Sequence, residues 1–201
     1  MSEPLIRHAD IRLALTTWMK VRGNALYPTV HEFGPFEMKP YLPHVSIFRR
    51  TPEGGHKVTL LGTGLVEAYG FDATGMDVAD IYPPEELAEL HPFYDLIFPD
   101  HYLSHSLRTY KRKTGAHMTL EQILMPLGNE EGIHDRYVLV ARRTDVPLRP
   151  RKDVESKLKL GVLEARTIFD PKTFLPVACF ATTPRDATEM QIPLTSFLQQ
   201  N

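Results

Sequence analysis

The sequence predicts an α+β domain, an antiparallel sheet with short helices gathered on one face. Three observations predict it. A hairpin, Val45 to Arg50 and Lys57 to Leu61 around Thr51-Pro52-Glu53-Gly54-Gly55, runs directly into a glycine turn. Leu60 to Gly75 then compresses a strand end, a turn, a short helix and a second turn into sixteen residues. Further on, two alternating runs, Ala116 to Leu127 and Arg136 to Arg142, flank the turn Gly128-Asn129-Glu130-Glu131-Gly132. Strands, then short helices, then strands again is the order of an α+β layer architecture.

Asp10 to Arg22 reads as an amphipathic helix, with Asp10 as N-cap and Gly23 in the C-terminal cap position. Ile11, Leu15, Trp18 and Met19 share one face. That stripe has two uses, packing on the domain's own sheet or forming a homodimer contact. Asn24 to Pro43 is irregular and rich in proline and glycine; Phe33, Phe36, Met38, Tyr41 and Leu42 suit a short helix or an apolar lid. In the organising stretch, Leu65, Ala68 and Tyr69 recur at helical spacing and Gly70 closes the turn. Asp72 and Thr74 offer capping oxygens to the chain after Gly75.

Asp77 to Tyr82 reads as a helical turn stopped by Pro83-Pro84. A helix starts at Glu85, with Glu85 and Glu86 favoured in its first turn, and Pro92 is expected to break it. Leu103 to Lys113 alternates as a strand does, although a helix running to Ser104 fits as well, and Gly115 marks a turn. In the next strand Met118, Leu120 and Leu124 oppose Thr119, Glu121 and Ile123, and Pro126 ends the pairing or sits at a bulge. Past Ala141, the basic run Arg142, Arg143, Arg149, Arg151 and Lys152 reads as a solvated linker or a phosphate-binding patch. Val154 to Leu163 suits a helix, Ala165 to Pro176 a hairpin around Asp170-Pro171-Lys172, and Thr182 to Asn201 loose chain.

Composition removes several classes of function. The 201 residues are 42% hydrophobic and 24% charged, as in a globular domain with a real core, and the net charge of -2 gives no field for nucleic acid or an anionic membrane. No run approaches the roughly 20 apolar residues of a membrane span. The single cysteine, Cys179, leaves no internal disulfide, and its apolar neighbours suggest a buried small hydrophobe. With no apolar signal core at the N-terminus, a cytoplasmic location is expected.

Nucleotide and catalytic motifs fare poorly. Gly62-Thr63-Gly64 comes after a strand, but Glu67 stands where the dinucleotide fingerprint requires its third glycine, and there is no Gly-Lys-Ser/Thr beyond it. Among nine histidines, His101 and His105 are four apart, yet a zinc pair needs a third ligand, so no metal site is assigned. His91, His101 and His105 lie where a single haem ligand would be sought, without a recognisable site around them; no cofactor is assigned. There is no Gly-x-Ser-x-Gly elbow. An enzyme reading survives only as an acid/base site among His101, His105 and Glu121.

The order of motifs resembles a PAS domain, and most closely a bacterial family in which one PAS domain makes up nearly the whole protein. The resemblance rests on Arg22-Gly23 at the end of the first helix, Gly62-Thr63 after a strand, Tyr69-Gly70-Phe71-Asp72-Ala73-Thr74-Gly75, and Pro126-Leu127 late in a strand. It covers Asp10 to Arg143 and divides the chain into an N-terminal helix (1–23), a PAS-like domain (24–143) and a C-terminal extension (144–201). It implies a five-stranded antiparallel sheet crossed by short helices, a sensor or adaptor working through protein contacts, and a ligand held between sheet and helices. By that analogy the ligand wall includes Leu61, Tyr69, Phe71, Ile81, Leu107, Leu120, Leu124 and Leu139, whose other use is to fill the core. Signalling to a protein partner rather than turnover is the expected purpose, with a homodimer through the first helix as one form of it.

Overall fold

In the computed structural model, residues 6–111, 117–144 and 162–181 are described. The expectations for Gly115, for the basic run beyond Thr144, for a helix over 154–161 and for 182–201 lie outside those residues.

A single sheet organises the chain. Its strands are β1 (Val45–Arg50), β2 (His56–Leu61), β3 (Leu103–Lys111), β4 (His117–Gly128), β5 (His134–Thr144), β6 (Val162–Phe169) and β7 (Pro176–Ala181). They lie in the order β2-β1-β5-β4-β3-β6-β7, every pair antiparallel. The fold class agrees with the sequence, with seven strands among the described residues in place of five. The added pair is the hairpin read around Asp170: the Asp170 carboxylate accepts the Lys172 and Thr173 N–H groups at 2.9 and 2.8 Å, closing a tight turn. Val162 and Leu163, expected at the end of a helix, belong instead to β6, which pairs with β3.

The two faces of the sheet are covered differently. On one lie α3 (Thr63–Tyr69), α4 (Val78–Ile81) and α5 (Pro84–Ile97). On the other lies α1 (Ala9–Arg22), so the helices are not all segregated to one face. Ile11, Ala14, Leu15 and Trp18 are fully buried with Ile123, Met125, Val138 and Val140. Of the two uses open to the stripe, packing on its own sheet is the one adopted. The Trp18 indole N–H donates to the Pro126 carbonyl at 2.9 Å, which satisfies a polar group inside this core. The α1 N-cap is His8 rather than Asp10: its Nδ1 accepts the Asp10 N–H at 3.1 Å, while the Asp10 carboxylate pairs with Arg142 at 3.2 Å. A short α2 (Pro35–Met38) and a 3-10 turn (Leu42–His44) carry Met38 and Tyr41 into the same core.

Pro92 does not break its helix. α5 runs through it to Ile97, because Leu90, Tyr94 and Ile97 bury one face against the sheet and outweigh the loss of one ladder N–H. The Tyr137 hydroxyl donates to the carbonyls of Ile97 and Tyr102 at 2.8 and 3.0 Å, fixing the end of α5 to β5.

Candidate functional site

The organising stretch is held down by close approach more than by glycine's backbone freedom. Gly62 has an ordinary φ of -64°, but a Cβ there would meet the carbonyl oxygens of Leu42 and Pro43 at 2.5 Å. Its N–H donates to the Val45 carbonyl at 2.7 Å. α3 therefore starts jammed against the 3-10 turn and ends at Gly70, which does adopt the left-handed φ of 85°. The chain then returns to the sheet margin, where the Gly75 N–H donates to the Val58 carbonyl at 2.8 Å and the Val58 N–H to the Met76 carbonyl at 3.0 Å. Asp72 makes a local turn by accepting the Thr74 N–H at 2.9 Å; it caps no helix.

These anchors stretch α3, α4 and α5 across the sheet without filling the space beneath them. A cavity of about 80 Å³ remains between helices and sheet. Of the residues expected to line it, Leu61, Tyr69, Phe71, Ile81, Leu124 and Leu139 do so. Leu107 does not. Its strand neighbours Ser106 and Arg108 face the cavity, so alternation turns Leu107 to the α1 side, in register with Glu121. Leu120 stands on the cavity face in register with Arg108 but outside the lining.

Sequence reasoning missed the polar half of the wall. Ser104, Ser106, Arg108 and Tyr110 supply it from β3, Gln122 from β4 and Arg166 from β6. The Ser106 hydroxyl donates to the Gln122 carbonyl oxygen at 3.4 Å, and the Gln122 amide donates to the Tyr110 hydroxyl at 3.3 Å. Arg108 is paired with Glu89 of α5. The Arg166 guanidinium lies over the Phe93 ring, 3.8 Å from its centroid. Burial, and then the nearby Arg108, lower its pKa to about 10. Burial raises the phenols of Tyr69, Tyr82 and Tyr110 above their usual range and pushes Tyr94 up to about 12, so all four are neutral groups near pH 7. The alternation is not a clear signal in the sequence: Ser104, Ser106, Arg108 and Tyr110 face the cavity, but the opposite parity mixes Leu103 and Leu107 with His105 and Thr109.

The three residues of the enzyme reading do not form one site. His105 and Glu121 do meet, Nε2 to Oε1 at 2.9 Å, but on the face opposite the cavity. The two Glu121 oxygens also accept the N–H groups of Arg7 and His8, both at 2.7 Å. Burial works to raise the Glu121 pKa; the His105 ring and those two N–H groups overturn it and hold the carboxyl below its usual range. His101 pairs elsewhere, its Nδ1 2.8 Å from Nδ1 of His134.

Among the described residues no histidine and no cysteine lines the cavity. Cys179 is exposed on β7 rather than buried, and it does not line the cavity. Among the described residues no group of three or more His, Cys, Asp or Glu side chains is placed to hold a metal ion, and no helix is long and apolar enough to cross a membrane.

A sheet crossed by short helices over a cavity is the arrangement of a sensory-type α+β domain, and the comparison with known families agrees. The sequence model of a family described as PAS domain matches residues 6–140. The chain belongs to the PAS domain family. Among solved structures, a light-oxygen-voltage domain from work with a flavin analogue is 13% identical with a TM-score of 0.41, over 54% of this chain and 82% of that one. The light-state LOV domain of the photoreceptor Aureochrome1 is 11% identical with a TM-score of 0.39, over 54% and 87%. The PAS domain of a protein from Colwellia psychrerythraea is 14% identical with a TM-score of 0.40, over 54% and 94%. A search among curated proteins found no match.

Proposed function

We propose that this chain is a PAS-type sensor or adaptor: it binds a small ligand between the sheet and the short helices and passes its state to a partner protein. The observation that carries the proposal is the cavity under α3, α4 and α5, walled by Leu61, Phe71, Leu124 and Leu139 and roofed by helices of seven, four and fourteen residues. Short roof elements tied down at their ends can shift when the space beneath them fills. Signalling rather than turnover is supported by the placing of His105 and Glu121 on the far face, where they serve the N-terminal segment. A homodimer formed through α1 would use its solvent side, where Leu13 is exposed, because the Trp18 stripe is occupied. A cytoplasmic location accompanies this function, supported by a single cysteine that leaves no internal disulfide.

A thermal-shift screen of the full chain against a metabolite library tests the ligand claim. A true ligand raises Tm in the unaltered protein and fails to do so in Leu139→Phe, which fills the cavity. A shift that persists in Leu139→Phe, or a library with no hit, counts against it.

A further inference from the structure

The cavity is polarised along the order of the strands. Val58 and Leu61 of β2, Phe48 of β1 and Leu139 of β5 make one side largely apolar; the one polar residue these strands add is Ser46, whose hydroxyl is spent on the Leu60 carbonyl at 3.1 Å. Ser106 and Arg108 of β3, Gln122 of β4 and Arg166 of β6 make the other side polar. Among the described residues that line it, two are cations and none is an anion. The carboxylate of Glu89, which binds Arg108, lies outside the lining with 44% of its side chain exposed. Arg166 is the less compensated of the two cations. Its Nε is buried without a hydrogen-bond partner among the described residues, and beyond that burial the repulsion of Arg108 is only partly offset by the Glu89 carboxylate, so its pKa stays lowered. A donor left idle in such a place is costly unless something accepts from it.

Resting on the ligand-binding function proposed above, we infer that the cavity takes a small carboxylate with an apolar body, the carboxylate against Arg166 and Arg108 and the apolar part against Phe48, Leu124 and Leu139. A guanidinium presents paired N–H groups that match a carboxylate's two oxygens, and the neutral hydroxyl of Tyr110 and the amide of Gln122 add donors beside them. Size limits the body. At about 10–15 Å³ for each water-sized occupant, about 80 Å³ holds on the order of five to eight heavy atoms, the scale of a short branched acid. Arg166 also lies outside the stretch 6–140 that matches the family model. The chemistry selecting the ligand thus comes partly from β6, which this chain adds to the sheet.

The test uses isovalerate and isovaleramide, equal in shape and different in charge, titrated into the full chain and monitored by the methyl NMR signals of Leu124 and Leu139. Inorganic phosphate is the anion without an apolar body. The expected result is that isovalerate shifts both methyls, while isovaleramide and phosphate bind at least about tenfold more weakly. Arg166→Met lowers isovalerate affinity about tenfold and leaves isovaleramide within about threefold of the unaltered chain, with Tm confirming a folded protein. Equal binding of acid and amide, or unchanged isovalerate affinity in Arg166→Met, overturns the carboxylate inference and leaves the ligand-binding proposal standing. Phosphate binding as tightly as isovalerate overturns the apolar half. If isovalerate leaves both methyls unmoved while an uncharged apolar compound shifts them, the inference falls alone; if no compound moves them, both fall. Should Arg166→Met not fold, the acid and amide comparison on the unaltered chain decides the matter by itself.

Discussion

Nε2 of His105 lies 2.9 Å from Oε1 of Glu121, both side chains are shut away from water, and the same carboxylate receives the N–H groups of Arg7 and His8. A buried charge thus ties the segment leading into α1 to the middle of β4. Removing that carboxylate leaves the His105 ring and both N–H groups short of their acceptor. Glu121→Gln keeps the shape, gives up the charge and offers one acceptor oxygen in place of two. It is expected to cost about 2–3 kcal/mol in urea unfolding, with faster amide exchange at Arg7 and His8. A cost below about 1 kcal/mol with unchanged exchange would show that α1 is held by its apolar stripe alone.

Acid should destabilise the fold well before its carboxylates titrate. Burial, and then Arg50, takes His56 down to about 4; burial, and then His101, takes His134 down to about 4. The unfolded chain binds these protons near pH 6.5 and the folded chain only near 4. Stability from the two rings is therefore complete above about pH 6.5 and is lost as pH falls toward 4, each contributing a slope of about 1.4 kcal/mol per pH unit inside that window. Urea midpoints measured from about pH 7 to about pH 4.5 should show the fall, and His134→Phe should flatten it. Stability that holds level across that window contradicts the burial of these rings.

Much of the fold was legible because local chemistry and tertiary packing agree there. The hairpin Val45 to Leu61 carries its turn residues in place, and the helix after Gly62 ends at the glycine expected to end it. Legibility failed where a distant partner decides. Pro92 argues for a break, and only the burial of Leu90 and Tyr94 shows why α5 ignores it. Asp10 is a better N-cap by type than His8, but Arg142, on a strand far along the chain, takes its carboxylate. At the site, choosing the apolar residues of β3 as the wall is sound for a strand with one wet face. Here the α1 side is dry as well, so Leu107 is buried without touching the cavity and the alternate residues of β3 line it. Arg166 reaches the cavity only because β6 joins β3, a pairing that no local pattern announces.

Gly62 and Gly70 bound the same short helix and should respond to alanine for different reasons. A Cβ at Gly62 meets two backbone carbonyl oxygens at 2.5 Å, and neither can rotate aside. A Cβ at Gly70 meets nothing within 4 Å and is penalised only by its φ of 85°. Gly70→Ala should cost about 1 kcal/mol, and Gly62→Ala about 3 kcal/mol or more, through displacement of α3 from the 3-10 turn. Chemical denaturation of the two variants side by side checks the order. If Gly62→Ala proves the milder change, α3 is not seated as described.

The most direct test of the central claim, a ligand cavity between sheet and short helices, compares three leucine methyls during titration with any compound that raises Tm. Leu124 and Leu139 line the cavity, and Leu107 lies on the opposite face of the same sheet. The expected result is a saturable shift at Leu124 and Leu139 with Leu107 unmoved. A saturable shift at Leu107 with Leu124 and Leu139 silent would contradict it.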